Sequence, residues 1–309
     1  MELVRGIHNL KSQHKGCVLS IGNFDGIHLG HQAVLTRLLK EAKRLNVPAT
    51  VMTFEPQPEE LFLGNHAPAR LSRLRDKFVQ LEKLTLDRLL CISFTHQFAN
   101  ISAESFIEDL LINKLNVKYL VVGDDFHFGY QRKGDFKLLK QAGKKYGFEV
   151  IDTQSLVQQT QRISSTLIRD SLAQGELEHA SVMLGRKYSI AGRVSHGKKL
   201  GRTIGVPTAN LLLKRRVSPV AGVFVVSIIG IDDKTYQGVA NIGTRPTVQG
   251  ERQQLEVHIF NFEGDLYGEQ LEVVLEKKLR NEVKFDSFPE LKQQIEKDIQ
   301  GAKQWHQNC

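Results

Sequence analysis

The chain has 309 residues, long enough for two domains with substantial cores, and 41% hydrophobic with 25% charged residues excludes a disordered or fibrous chain. Lysine and arginine outnumber aspartate and glutamate 42 to 34, and the net +8 favours anionic ligands; the cations are dispersed, with few aromatics among them, so phosphate-bearing small molecules are expected rather than nucleic acid. Cys17, Cys91 and Cys309 are odd in number and far apart, which excludes a disulfide framework or CxxC metal site and fits a reducing cytoplasm; there is no signal-peptide core, and the longest apolar run, near Ala221 to Ile231, is too short for a bilayer.

In the first half, short apolar runs alternate with helical periodicity. Val18–Ile21 predicts a buried strand, and Val34, Leu35, Leu38, Leu39, Ala42 and Leu45 then recur at helical spacing. Further strands are predicted at Ala49–Phe54, Arg88–Phe94, Tyr119–Val122 and Phe148–Ile151, with helices over about 32–45, 71–84, 102–115 and 135–146. This order predicts an α/β domain with a doubly wound parallel sheet, whose ligands bind at the carboxyl ends of its strands. From Ser164 to Leu184 the pattern is helical again, with a break at Gly175, and is read as a connector that closes a first domain over residues 1–184.

A second domain is expected over 185–309. Ile190–Val194, Val223–Ile229, Tyr236–Ala240, Leu255–Phe262 and Gln270–Leu275 are strand-like and separated by Gly and Pro, without helices between them. That predicts a small antiparallel barrel. A final helix over Phe288–Trp305 carries Leu291, Ile295 and Ile299 on one face and is expected to pack on the barrel.

The first strand and its helix flank Ser20-Ile-Gly-Asn-Phe-Asp-Gly-Ile-His-Leu-Gly-His-Gln32. Backbone N–H groups and the helix dipole make a helix start attractive to phosphate. Gly22, Asn23 and Asp25 lie in the turn, and its glycines let the backbone approach phosphates closely. His28 and His31, three residues apart, can share one face of the first helical turn, which suits a triphosphate attacked at its α-phosphate. Zinc is a competing reading, but no third ligand of obvious spacing lies nearby.

Arg162-Ile-Ser-Ser-Thr-Leu-Ile-Arg169 brings two guanidiniums and three hydroxyls to another helix start, with Ser164 or Ser165 as N-cap. It reads either as a β,γ-diphosphate site including Ser165 and Thr166 or as a capped surface helix. In Val121-Val-Gly-Asp-Asp-Phe-His-Phe-Gly129, Asp124 or Asp125 could contact a ribose, a base or a metal, and Phe126 or Phe128 could stack on a ring. Thr53-Phe-Glu-Pro-Gln-Pro58, followed by Phe62, ends another strand in the same manner. Taken singly, each phenylalanine is more often core.

In the second half, Gly197, Gly201 and Gly205 alternate with Lys198, Lys199 and Arg202, like a phosphate-enclosing flap; a basic surface hairpin is the alternative. Thr208 and Asn210 offer neutral oxygens that could complete a Mg²⁺ shell. Leu255, Val257 and Ile259 share one side of a strand, so Glu256 and His258 face the other. A carboxylate projecting there could be the general base for a hydroxyl nucleophile.

Together these motifs resemble the bacterial bifunctional riboflavin kinase/FMN adenylyltransferase family over essentially the whole chain. The first half is similar to HxGH nucleotidylyltransferases through Gly22–His31, Asp124–Gly129 and Ile163–Arg169. The second resembles riboflavin kinase through Gly205-Val-Pro-Thr-Ala-Asn210, Gly243-Thr-Arg-Pro246 and Glu256-Val-His258. The resemblance implies ATP, riboflavin and FMN as substrates and Mg²⁺ as cofactor. By it, Thr208 and Asn210 hold Mg²⁺, Glu256 accepts the riboflavin hydroxyl proton, and Gly197, Lys198, Gly201, Arg202 and Gly205 cover phosphates. His28 and His31 stabilise the adenylyl-transfer transition state, while Arg162, Ser165, Thr166 and Arg169 hold the leaving pyrophosphate. Phe62, Asp125, Phe128 and Arg245 are the flavin-contact candidates.

The same resemblance is compatible with a homo-oligomer and with delivery of flavin to apo-flavoproteins. Two departures bear on ligand contacts: Gln57 stands where the family often has His, and His127 where it often has Arg or Thr. Two rivals remain at this point, a nucleotidylyltransferase for another phosphate substrate with an accessory barrel, and a non-enzymatic flavin or nucleotide sensor.

Overall fold

A computed structural model describes residues 1–123, 125–153, 163–196, 205–213, 217–247 and 250–308. The chain forms two compact units, Met1–Pro68 with Ser72–Ser164, and Ala69–Leu71 with Ser165–Cys309.

The first unit contains a six-stranded sheet in the order β1-β4-β3-β2-β5-β6, and every pairing in it is parallel. Its strands are β1 (Glu2–Arg5), β2 (Cys17–Ile21), β3 (Ala49–Glu55), β4 (Arg88–Ser93), β5 (Val117–Val122) and β6 (Glu149–Asp152). The central strands are apolar without alternation because both faces are covered. Leu19, Ile21, Met52, Phe54, Leu90 and Ile92 pack on one face with Phe106, Leu110 and Leu139. Val18, Val51, Leu89 and Val121 pack on the other with Val34, Leu35, Leu38 and Leu81.

Helices α1 (Leu29–Leu45), α2 (Pro58–Leu63), α3 (Leu74–Lys83), α4 (His96–Ala99), α5 (Ala103–Ser105) and α6 (Phe136–Tyr146) lie between the strands. The helix expected over 102–115 is α5 followed by a π-helical stretch, Phe106–Lys114, in which Leu115 N donates to Leu110 O at 3.1 Å. From β2 the chain moves outward through β3 to β4, then crosses to β5 on the other side of β2. This places the topological switch point at the carboxyl ends of β2 and β5.

The second unit opens with α7 (Ser165–Gln174) and α8 (Leu177–Leu184), separated by Gly175 at φ +85°. Packing assigns this helical pair to the same unit as the barrel, whereas the sequence reading ends the first domain at residue 184. Strands β7 (Ser189–Ser195), β8 (Ala209–Leu212), β9 (Gly222–Ile231), β10 (Lys234–Thr247), β11 (Gly250–Ile259) and β12 (Gln270–Arg280) form a closed barrel in the order β10-β11-β8-β7-β12-β9. Helix α9 (Phe288–Gln307) starts at the Ser287 cap and covers one outer face, where Ala302, Ile299 and Trp305 meet Val223, Val225 and Val239. No described helix is long and apolar enough to cross a membrane.

Candidate active sites

The turn from β2 to α1 is held in a strained shape by its own side chains. Phe24 and Ile27 adopt left-handed backbone, φ +46° and +45°, at a cost of about 1–3 kcal/mol each. Burial of both side chains in the core offsets that cost. Between them, the Asp25 carboxylate is 2% exposed and accepts from Ser72 N at 2.9 Å and Ser72 Oγ at 3.1 Å; Ser72 Oγ accepts in turn from Gly26 N at 2.9 Å. Asp25, read from the sequence as a phosphate-site residue, thus clamps the turn to the start of α3. Gly22 N donates to Met52 O at 3.1 Å and Asn23 O accepts from Thr53 Oγ1 at 3.4 Å, so both end the strand register.

His28 caps α1, its Nδ1 accepting from His31 N at 3.3 Å. The His28 and His31 rings stack with centroids 3.6 Å apart and 18° between planes. A Cβ on Gly30 would lie 3.2 Å from His28 Nδ1, so glycine leaves the stack room. His31 Nδ1 is buried without a hydrogen-bond partner among the described residues. Burial first, then the neighbouring His28 and Lys77, hold the His31 pKa well below the usual imidazole value. Lys77, 1% exposed, lies one helical turn before buried Leu81 on α3. A lysine on the apolar stripe of a helix is the sequence signal that marks this buried cation.

At the end of neighbouring β3, Gln57 is 3% exposed and its Nε2 has no partner among the described residues. Beyond it, Phe62 is 61% exposed and stands edge-on to Phe94 and His96, with centroids at 6.0 and 6.3 Å. Phe128, by contrast, is 6% exposed and packs on Phe106 at 4.8 Å and Phe126 at 5.7 Å. It belongs to the core, and half-buried Phe126 is the more open ring of the two. Asp125 is exposed, and its backbone carbonyl accepts from His127 Nδ1 at 2.7 Å. Asp124 and Arg162 lie outside the described residues. In the second unit, Ser165, Thr166 and Arg169 fall in the opening turns of α7, and Arg169 Nε donates to Ala69 O at 2.6 Å.

On the barrel, register lines up a polar row. Ser195 lies opposite Asn210, Asn210 opposite Glu256, and Glu256 opposite Asn241 across β7, β8, β11 and β10. Directly opposed residues share a face, and Leu211, Leu255 and Ile242 fill the interior on the other side. The expected alternation in β11 therefore holds.

Asn210 is buried and oriented from several directions. Ser195 Oγ donates to its carbonyl at 3.1 Å, its Nδ2 donates to Thr208 O at 3.4 Å, and its Oδ1 accepts from Gln254 Nε2. His258 Nδ1 donates to Pro207 O at 2.9 Å, tying down the turn that carries Thr208. Glu282 adds a second carboxylate, accepting from Asn241 Nδ2 at 3.3 Å. Gln254 and Glu282 were not singled out in the sequence; Gln254 shares the face of Glu256, two residues on. Gly205 is exposed with φ +77°. Gly197, Lys198, Lys199, Gly201 and Arg202 lie outside the described residues, as does the side chain of Arg245.

Among the described residues no group of three or more His, Cys, Asp and Glu could hold a metal ion. Thr208 and Asn210 fit the sparser needs of Mg²⁺. Their side chains offer neutral hard oxygens, and Asn210 Oδ1 retains a second lone pair beside its Gln254 bond.

Comparison with known proteins assigns a family to each half of the chain. Residues 10–167 match the protein-family model for FAD synthetase, and residues 184–306 match that for riboflavin kinase. A protein of Escherichia coli named bifunctional riboflavin kinase/FMN adenylyltransferase is 53% identical over 306 residues, covering 99% of this chain and 98% of its own. The Haemophilus influenzae protein of the same name is 51% identical, covering 98% of each. A crystal structure described as a macrolide-efflux protein from Streptococcus pneumoniae is 32% identical, with a TM-score of 0.78 over 96% of this chain and 97% of that one. By these matches the chain belongs to the family of bifunctional riboflavin kinase/FMN adenylyltransferases.

Proposed function

We propose that this chain makes both flavin nucleotides. The barrel unit transfers the γ-phosphoryl group of ATP to riboflavin, giving FMN. The HxGH unit joins FMN to the adenylyl group of a second ATP, giving FAD and pyrophosphate. The observation that carries the reading is one chain with a stacked histidine pair at a sheet switch point and an Asn210–Glu256 pair on a closed barrel. The two activities are proposed to divide between residues 1–184 and 185–309, and to act in the cytoplasm.

In phosphorylation, Glu256 takes the proton of the ribityl 5′-hydroxyl as that oxygen attacks the γ-phosphorus, and ADP leaves. Thr208 and Asn210 hold Mg²⁺, which when bound neutralises charge on the phosphate oxygens. Gly197, Lys198, Gly201, Arg202 and Gly205 enclose the phosphates, and Arg245 contacts the flavin.

In adenylyl transfer, a phosphate oxygen of FMN attacks the α-phosphorus of ATP, and the bond to the pyrophosphate oxygen breaks. The nucleophile is already anionic, so no general base is needed. His28 and His31 stabilise charge at the α-phosphate from the start of α1. Gly22 and Asn23 bound that phosphate turn, and Phe62 and Asp125 contact the flavin. Arg162, Ser165, Thr166 and Arg169 are the proposed anchors of the departing diphosphate.

One incubation of the purified protein with riboflavin, ATP and Mg²⁺, resolved by chromatography over time, tests the reading. FMN should appear and then convert to FAD. Riboflavin left unchanged, together with no FAD from supplied FMN, would overturn it.

A further inference from the structure

Gln57 follows β3, a strand whose carboxyl end lies beside that of β2. Its main chain is paired, because Gln57 N donates to Glu60 Oε2 and Glu60 N donates to Gln57 O, both at 2.9 Å. Its side chain is 3% exposed, and Nε2 has no partner among the described residues. An amide nitrogen left in that state is destabilising, and an acceptor brought by a ligand relieves it.

The neighbouring strand end carries a second group of this kind, His31 Nδ1, at the start of α1. The exposed Phe62 ring is on α2, five residues beyond Gln57, or about 7.5 Å along a helix axis. A ribityl chain separates the ring and phosphate of FMN by a comparable length. Gln57 thus lies in the chain just after a strand adjacent to the one that leads into the HxGH turn, and five residues before an exposed aromatic ring.

We infer that Gln57 Nε2 donates a hydrogen bond to the phosphate monoester of the flavin substrate, holding the attacking oxygen beside the HxGH turn. The inference rests on the proposed adenylyl transfer. A neutral donor matches an acceptor-only anionic group, and it penalises a flavin that lacks the phosphate.

Gln57→Met keeps the side-chain length without the donor, and Gln57→Glu replaces the donor with a carboxylate. Kinetics of FAD formation by the full chain, with FMN and ATP varied separately, read the contact. In Gln57→Met the KM for FMN should rise about tenfold to a hundredfold while the KM for ATP stays within about twofold. Gln57→Glu should be worse, and riboflavin phosphorylation should be unchanged in both. A KM change confined to ATP, wild-type kinetics in Gln57→Glu, or a fall in kcat accompanied by early thermal unfolding of both variants would overturn the role of Gln57. If the wild-type chain forms no FAD, the adenylyl-transfer reading fails and Gln57 loses its role with it. FAD formation that both variants perform normally overturns Gln57 alone.

Discussion

His31 carries an electrostatic signature that can be read without substrate. Its folded pKa lies well below the ordinary imidazole value of 6.5, through burial first and then through His28 and Lys77, while the Asp25 carboxylate in the same turn accepts hydrogen bonds from Ser72. As pH falls below about 6.5 the unfolded chain takes up a proton here and the folded chain does not. His31 therefore contributes no penalty above that range and a growing one below it, up to about 1.4 kcal/mol per pH unit until the folded pKa is reached. Thermal unfolding of the first unit should move to lower temperature as the solution is acidified from about pH 7.5 to about pH 5.5, and His31→Asn should flatten the dependence. An equal slope in wild type and variant would show that the imidazole is not held neutral. The active-site assignments separate just as sharply. His28→Ala should abolish FAD formation and leave FMN formation intact. Asn210→Ala should abolish FMN formation while supplied FMN still becomes FAD. Product chromatography distinguishes the two patterns.

Elements were legible where burial imposes a period. β11 alternates, so Leu255, Val257 and Ile259 could be placed inside and Glu256 outside from spacing alone. The run through β2, the helical stripe of α1 and the Gly175 break were legible for the same reason. β1 was not, because four residues with a single buried side chain, Val4, give no period to read. β8 is equally short and has only tertiary pairing to mark it, yet it carries Asn210 and closes the barrel. The partners Gln254 and Ser72 were hidden because they act through register and a long-range clamp, which local spacing does not encode. α9 was legible, but its anchor was not. Arg280 Nε and Nη2 grip the Asp298 carboxylate at 2.7–3.1 Å, and Gln294 Nε2 donates to it at 2.9 Å. Asp298→Ala should destabilise the second unit by about 2 kcal/mol, measured by urea unfolding. An unchanged midpoint would mean that α9 is held by its apolar face alone.

For the molecule as a whole, packing and function offer different cutting points. α7 and α8 belong to the barrel's compact unit and carry buried Ile168, Leu172, Leu177, Ala180, Met183 and Leu184. A fragment of residues 165–309 should therefore unfold at a higher temperature than one of 185–309. Equal unfolding temperatures would show that the helical pair adds nothing to the barrel. The ends of the parallel sheet have a further consequence, for crowding and storage. Its outermost strands, β1 and β6, are four residues long and carry Glu2, Arg5, Glu149 and Asp152. The barrel, being closed, offers no open border. Among the described residues, neighbouring copies thus meet little unpaired strand backbone on which to extend a sheet, and fibrillar aggregation has few places to begin there.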